Sequence, residues 1–146
     1  MATAESTWDA SRRLLVTRLQ GTVSVNDVRR WKASLQRELE RIKDHAQFKI
    51  IVDLYGYAFA DIGAHKEMRI VIPLTLASYG FRTALLDLFD PVDLPLQKTR
   101  GIACIAAAYV HHDLYRMQEY NRQIGRANER FFTDYGEAEA WIQALG

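Results

Sequence analysis

This chain predicts an α/β fold with a mainly parallel, mixed sheet, on three observations. Short apolar runs alternate with helix-length segments. Those longer segments carry apolar residues at helical spacing and open on capping residues. The first strands follow one another across a tight turn at Ala10-Ser11, which places an antiparallel edge at the N-terminal end of the sheet. About four helices are expected. Residues 1–146 should form one domain, since that length buries roughly two-thirds of its unfolded surface without disulfide or metal support.

The elements follow in order. WDASRRLLVTRLQG (Trp8 to Gly21) reads as two short strands, with Leu15, Thr17 and Leu19 alternating against Leu14, Val16 and Arg18, and Gly21 ending the second. Ser24 and Asp27 make a capping-box-like start to a helix over about Val25 to Asp44. Its stripe Val28, Trp31, Leu35, Leu39 and Ile42 faces a core or, less readily, a partner helix. Phe48 to Leu54 is a strand and Asp61 starts the next helix. Proline removes a donor and clashes with the preceding turn, so Pro73 is expected to kink or break that helix near Ile72. Its apolar flanks suit a core, a pocket wall or a subunit contact. Arg82 to Phe89 and Ile102 to Val110 read as buried strands separated by the loop DPVDLPLQKTRG, and the small residues of the latter admit a close helix. A helix follows His111-His112-Asp113 as far as Ile124, with Gly125 as its stop. Glu129 to Thr133 is the last strand, and Asp134 with Glu137 caps a final helix turning Ala138, Trp141, Ile142 and Leu145 inward.

Composition narrows the function classes. The chain is 49% hydrophobic and 25% charged, with 19 basic against 18 acidic residues, so the net charge of +1 favours neither nucleic acid nor an anionic membrane. Cys104 lies in the apolar run IACIAAAYV and is expected to be a buried, inert thiol. The first residues, MATAESTWDASRR, lack an apolar export core, and no apolar stretch reaches spanning length. Membrane insertion is therefore not expected, and the cytoplasm is the expected location.

Three stretches together carry a family resemblance: LLVTRLQGTVSVNDVRRW, FKIIVDLYGYAFADIGAHKEM and RFFTDYGEAEAWIQAL. They resemble the STAS domains of anti-sigma-factor antagonists, and in particular the broader SpoIIAA-like group, in an opening strand, glycine and helix, an Asp-Leu-x-Gly turn after the central strand, and a closing Ala-x-x-Trp helix. The resemblance implies a STAS/SpoIIAA-like fold and a non-enzymatic regulatory or protein-interaction module. Antagonists of that family that switch by phosphorylation carry Asp-Ser-Ser-Gly and are modified on the serine before the glycine. Aligned on Gly63, the corresponding residues here are Ala60, Asp61 and Ile62, and none has a hydroxyl. The loop is thus expected not to be a phosphoserine switch. Asp61 either imitates a permanently charged state or caps the helix, the cap being favoured.

Ligands of open α/β sheets gather at the carboxyl ends of the strands. Those ends bring Tyr55 and Tyr57, Asp87 and Asp90, and His111, His112 and Asp113 toward one crevice. Three function classes follow. The leading one is a protein partner contacting the loop through Tyr55, Tyr57, Asp61, Ile62, Gly63 and His65. The alternative is a small apolar or lipid-like ligand between the 70–81 helix and the sheet, met by Asp53, Met68, Ile72 and His111. Third is a hydrolytic or metal-dependent enzyme using His111 or His112. Adjacent histidines at a strand end should point to opposite faces, and no ligand spacing is present, so no catalytic residue, metal or cofactor is expected. His45 and His65, at exposed helix ends, add little to that third reading. The chain has no receiver-like acidic pair and lysine, no phosphate-binding lysine loop and no dinucleotide fingerprint. Arg116, Arg122, Arg126 and Arg130 are diluted by Glu119 and Glu129, which argues for a solvated face over a nucleic-acid stripe. A homodimer through the segment around Pro73 is the remaining partner expectation.

Overall fold

In the computed structural model, which describes residues 2–88 and 94–145, Thr3–Asp9 (β1) and Leu14–Val23 (β2) form the expected antiparallel edge, registered from Thr3 opposite Gln20 to Asp9 opposite Leu14. β2 then pairs in parallel with two successive partners. Gln47–Asp53 (β3) takes its first half, and Tyr57–Phe59 (β4) takes Gly21–Val23. The strand therefore does not end at Gly21. That residue sits at φ +86°, its amide donates to the Gly56 carbonyl at 3.1 Å, and the backbone beyond it finds a partner in β4, which three residues of local sequence did not reveal.

Ala103–Val110 (β5) and Glu129–Phe132 (β6) complete the order β1-β2-β3-β5-β6. Each parallel step from β2 moves to the next neighbour in the same direction, and crossovers of one hand then stay on one face. Val25–Leu39 (α1), Ile62–Ala77 (α2) and Leu114–Ile124 (α3) accordingly share a core with Leu15, Ile50, Val52 and Phe131. Tyr135–Ala144 (α4) covers the other face, setting Ala138 and Ile142 against Ile51, Ala106 and Ala108. The alanines of β5 let that helix approach closely.

The capping box at Ser24 and Asp27 is complete, with the Asp27 amide donating to the Ser24 hydroxyl and the Ser24 amide to the Asp27 carboxylate. The α1 stripe is buried in the sheet's own core. Trp31 donates its indole N–H to the Thr17 hydroxyl at 2.6 Å, and Ser6 links Thr17 to Ser34, tying α1 to β1 and β2 through hydroxyls. α1 stops at Leu39, short of Asp44. The Arg100 guanidinium, from far along the chain, donates to the Leu39 and Ile42 carbonyls at 2.8 and 3.0 Å and satisfies the helix end there.

Two expectations, a helix break at Pro73 and a strand over Arg82 to Phe89, fail for non-local reasons. α2 continues unbroken through Pro73 to Ala77. A proline in a helix interior costs about 3 kcal/mol, but Val71, Ile72, Leu76 and Ala77 on either side of it are buried. Burial of large apolar side chains is worth about 1.5–3 kcal/mol each, so packing outweighs the lost hydrogen bond. The strand expected over Arg82 to Phe89 is a 3-10 helix at Ala84–Leu88, and Phe89 and Asp90 lie outside the described residues. No strand of the described sheet pairs with it. The segment is held instead by Glu129, buried at the start of β6 and accepting from the Thr83 hydroxyl at 2.5 Å and the Ala84 amide at 2.9 Å.

Candidate functional site

The carboxyl ends of β3 and β5 open into a cleft of about 770 Å³ between α2 and α3. Val52 and Leu54 line it from the end of β3, and Tyr109 and Val110 from β5. Tyr57, Ala58 and Phe59 come from β4, and Met68, Ile72 and Pro73 from α2. Met117 and Tyr120 of α3, with Phe131 and Leu85, complete an apolar, aromatic wall. α2 therefore has three surroundings. Val71, Leu76 and Ala77 are core, Met68, Ile72 and Pro73 face the cleft, and Ile70 and Leu74 stay 55% and 44% exposed on the side toward α1.

Among the described residues the charged and imidazole groups of the lining are His65, Arg69, His111, His112, Arg116 and one carboxylate, Asp113. The two adjacent histidines do not diverge. β5 ends at Val110, so strand alternation no longer applies, and the two rings stack with centroids 4.2 Å apart. Main-chain amides fix them, because Asp113 N–H donates to His111 Nδ1 and Gly56 N–H to His112 Nδ1, both at 3.0 Å. With Nδ1 accepting, each neutral ring keeps its proton on Nε2. His65 is no bystander at a helix end. It lies against Phe59 at 4.5 Å and Tyr57 at 6.0 Å, with its Nδ1 3.0 Å from the Tyr57 hydroxyl. Burial pushes that hydroxyl up to about 12, so it stays protonated.

Burial lowers the pKa of His65, and the charges of Arg69 and Arg116 lower it further. Burial also lowers that of His111, helped by His112 and Arg116 and opposed by Asp113. Both rings then bind a proton less readily folded than unfolded. As pH falls through the ordinary histidine value of about 6.5, the unfolded chain takes up more protons and stability drops. The thermal midpoint of the ligand-free protein is expected to decrease between pH 7.5 and 5.5, and the slope to shrink in the His65→Gln/His111→Gln double variant. An unchanged slope in that variant would remove these two rings as its cause.

The structure divides the residues singled out from the sequence. Tyr57, His65, Met68, Ile72 and His111 come together in the cleft. Tyr55, Phe59 and Ile62 form an exposed apolar rim, at 53%, 45% and 61% exposure. Asp61 is the N-cap of α2, accepting from the Ala64 amide at 2.8 Å, and Gly63 lies in the first turn beside it. Asp53 is apart, on the α4 face of the sheet, where Arg18 pairs with it at 3.2 Å and lies over the Tyr135 ring. Asp87 pairs with Arg82 away from the cleft lining. Cys104 is buried, and burial raises its thiol well above the ordinary value.

Arg69, Arg116 and Met117 carry weight that the sequence reading did not assign them. Arg116 was grouped with Arg122, Arg126 and Arg130, yet Arg122 pairs with Glu119 at 2.5 Å and Arg126 with the buried Glu129 at 3.0 Å, leaving Arg116 alone of the four at the cleft. A usable signal was its place in the first turn of a helix that follows a strand's carboxyl end. Among the described residues no three of His, Cys, Asp and Glu converge as metal ligands, and no helix is long and apolar enough to cross a membrane. Compared with protein-family models, curated proteins and solved structures, the chain matches none of them.

Proposed function

We propose that this protein is a non-catalytic binding domain that holds a small apolar or lipid-like molecule in the cleft between α2, α3 and the sheet. The observation that carries the reading is the lining itself, an apolar and aromatic wall of about 770 Å³ with its few polar groups gathered around the ends of β3 and β5. Among the described residues no serine, threonine, cysteine or lysine lines it. Native mass spectrometry of freshly purified protein is expected to show a copurified small-molecule adduct, and an apolar fluorescent probe is expected to bind and be displaced by it. Bare chain together with failure of the probe to bind would sink the reading.

A second reading has its own support. Tyr55, Phe59 and Ile62 present an exposed apolar edge on one segment, bordering the cleft, which suits a protein partner at the loop. The kinship with STAS/SpoIIAA-like regulators belongs to this reading and is carried by the sequence stretches and by a helix opening on Asp61-Ile62-Gly63 after β4. Asp61 capping that helix gives its carboxylate a structural occupation in place of phosphate mimicry. A homodimer through Ile70 and Leu74 is part of the same proposal, and concentration-dependent sedimentation decides it.

A further inference from the structure

We propose that the Leu54–Tyr57 turn is a strap at the mouth of this cleft, latched to the segment after β5 by the hydrogen bond from Gly56 to His112 and released when that ring takes up a proton. The inference rests on reading the cleft as a ligand site and adds its regulation: the site holds its occupant at neutral pH and lets it go in acid. Its ground is the geometry of the turn. Tyr57 N–H donates to the Leu54 carbonyl at 2.9 Å, closing a four-residue turn whose third residue, Gly56, stands at φ +80°, the left-handed value a type II turn requires there. The Leu54 amide donates to the Val110 carbonyl at 2.8 Å and the Gly21 amide to the Gly56 carbonyl at 3.1 Å, so both flanks are fixed to the sheet. The tip is tied across to the segment after β5 by Gly56 N–H on His112 Nδ1 at 3.0 Å. Leu54 and Tyr57, the two ends of the turn, line the cleft, and the Tyr55 ring between them stands edge-on to His112 with centroids 5.9 Å apart.

The switch follows from which partners can reverse their roles. A main-chain N–H only donates, so Nδ1 accepts from it only while that nitrogen carries no proton. A protonated ring turns an N–H toward the Gly56 N–H, and the bond becomes a repulsion. His111 is built the same way on the Asp113 amide, and its ring stacks on His112 at 4.2 Å, so a charge on either ring is felt by both. The neighbouring contacts lack this property. His65 Nδ1 faces the Tyr57 hydroxyl, which accepts once the ring donates, and Asp53, which takes the Tyr55 amide at 3.1 Å, keeps an accepting oxygen when protonated. Among the described residues, the other titratable and charged groups that share the cleft or the turn with His112 are Tyr55, His111 and Asp113, Arg116 from α3, and His65 and Arg69 from α2. Their balance places the midpoint of the switch. It does not set the direction, which the main-chain donor fixes. Gly56 and His112 are both exposed, so water replaces the lost partner and the turn loosens without unfolding the sheet.

Amide hydrogen exchange of the full chain, resolved by NMR and expressed as protection relative to the unstructured rate at each pH, reads the latch directly. The protection of Gly56 is expected to fall about fivefold between pH 7.5 and pH 5.5, the change that one exposed hydrogen bond carries, while the Leu54 amide on Val110 keeps its protection. In His112→Asn a side-chain carbonyl stands near the place of Nδ1 and does not titrate, so Gly56 protection is expected to be the same at both pH values. In His112→Ala it is expected to be low at both. Titration with N-phenyl-1-naphthylamine, a probe uncharged at both pH values, reads the cleft. The parent is expected to lose about fivefold in probe affinity on acidification, and His112→Asn to lose most of that dependence, with the circular dichroism spectrum unchanged throughout. Gly56 protection independent of pH in the parent, or a pH dependence that survives in His112→Asn, would overturn the latch and leave the cleft reading intact. Leu54 losing protection together with Gly56 would also overturn it, by assigning the acid response to a wider opening of the sheet. A probe that binds at neither pH would overturn the cleft reading, and the gating with it.

Discussion

Glu129→Ala is expected to destabilise the protein by about 3–5 kcal/mol, the usual cost of removing one partner from a buried charged network. The carboxylate is fully buried at the start of β6. One oxygen accepts from the Tyr109 hydroxyl at 2.6 Å and the Thr83 hydroxyl at 2.5 Å, and the other from the Ala84 amide at 2.9 Å and Arg126 Nε at 3.0 Å. Truncation strands the Ala84 amide and leaves the Thr83 and Tyr109 hydroxyls, 2.8 Å apart, with one donor too many between them, in an interior that, among the described residues, otherwise leaves no buried side-chain polar atom without a partner. Burial first, and then the charge of Glu129, pushes the Tyr109 pKa well above its ordinary value, so that hydroxyl remains a donor throughout the neutral range. Glu129→Gln keeps one acceptor oxygen and should cost less, about 1–3 kcal/mol. Urea denaturation measures both, and a Glu129→Ala loss below about 1 kcal/mol would mean the network does not hold the fold. Because Leu85 belongs to the segment this carboxylate anchors and also lines the cleft, the variant should weaken ligand binding as well.

Met68→Trp is expected to cost binding without costing the fold. Met68 is half-buried on α2 and faces the cleft, so an indole in its place has open volume to enter. If it denies a ligand roughly 100 Å² of apolar surface, at about 25 cal/mol per Å², the loss is about 2.5 kcal/mol, or roughly 70-fold in affinity. Titration of an apolar probe reads the loss, and thermal melting checks that the midpoint has not fallen. Probe affinity equal to the parent's would place the ligand elsewhere on the molecule.

The two variants touch residues that the sequence treats very differently. In the sequence Met68 is a contact for an apolar ligand between the 70–81 helix and the sheet, and the local order of strand, loop and helix delivers it to the sheet's carboxyl edge. Glu129 was read as one of two acids diluting a basic stripe. Its burial depends on Thr83, Tyr109 and Arg126 meeting across separations of 46, 20 and 3 residues, which no window of sequence displays. The same holds for the stacked histidines. Their divergence was inferred from strand alternation, and their actual placement comes from the Gly56 amide 56 residues away from His112 and from the Asp113 amide two residues from His111.

By itself the sequence determined most of the alternating strands and helices, the antiparallel first edge, and the caps at Ser24, Asp61 and Asp134. Those features rest on contacts within a few residues or on periodicities of two and 3.6. The tertiary structure alone decided where α1 stops, that α2 survives Pro73, that 84–88 is not a strand, and that Asp53 belongs to the opposite face from Met68 and His111. Each of these was settled by groups distant in sequence: a guanidinium on helix carbonyls, buried faces packed on either side of a proline, a buried carboxylate of β6 holding Thr83 and Ala84, and α4 covering the face of the sheet that carries Ile51. The polar end of the cleft belongs with them, because Arg69, Arg116 and His111 share a surface only after two crossovers have packed α2 and α3 onto the same side of the sheet.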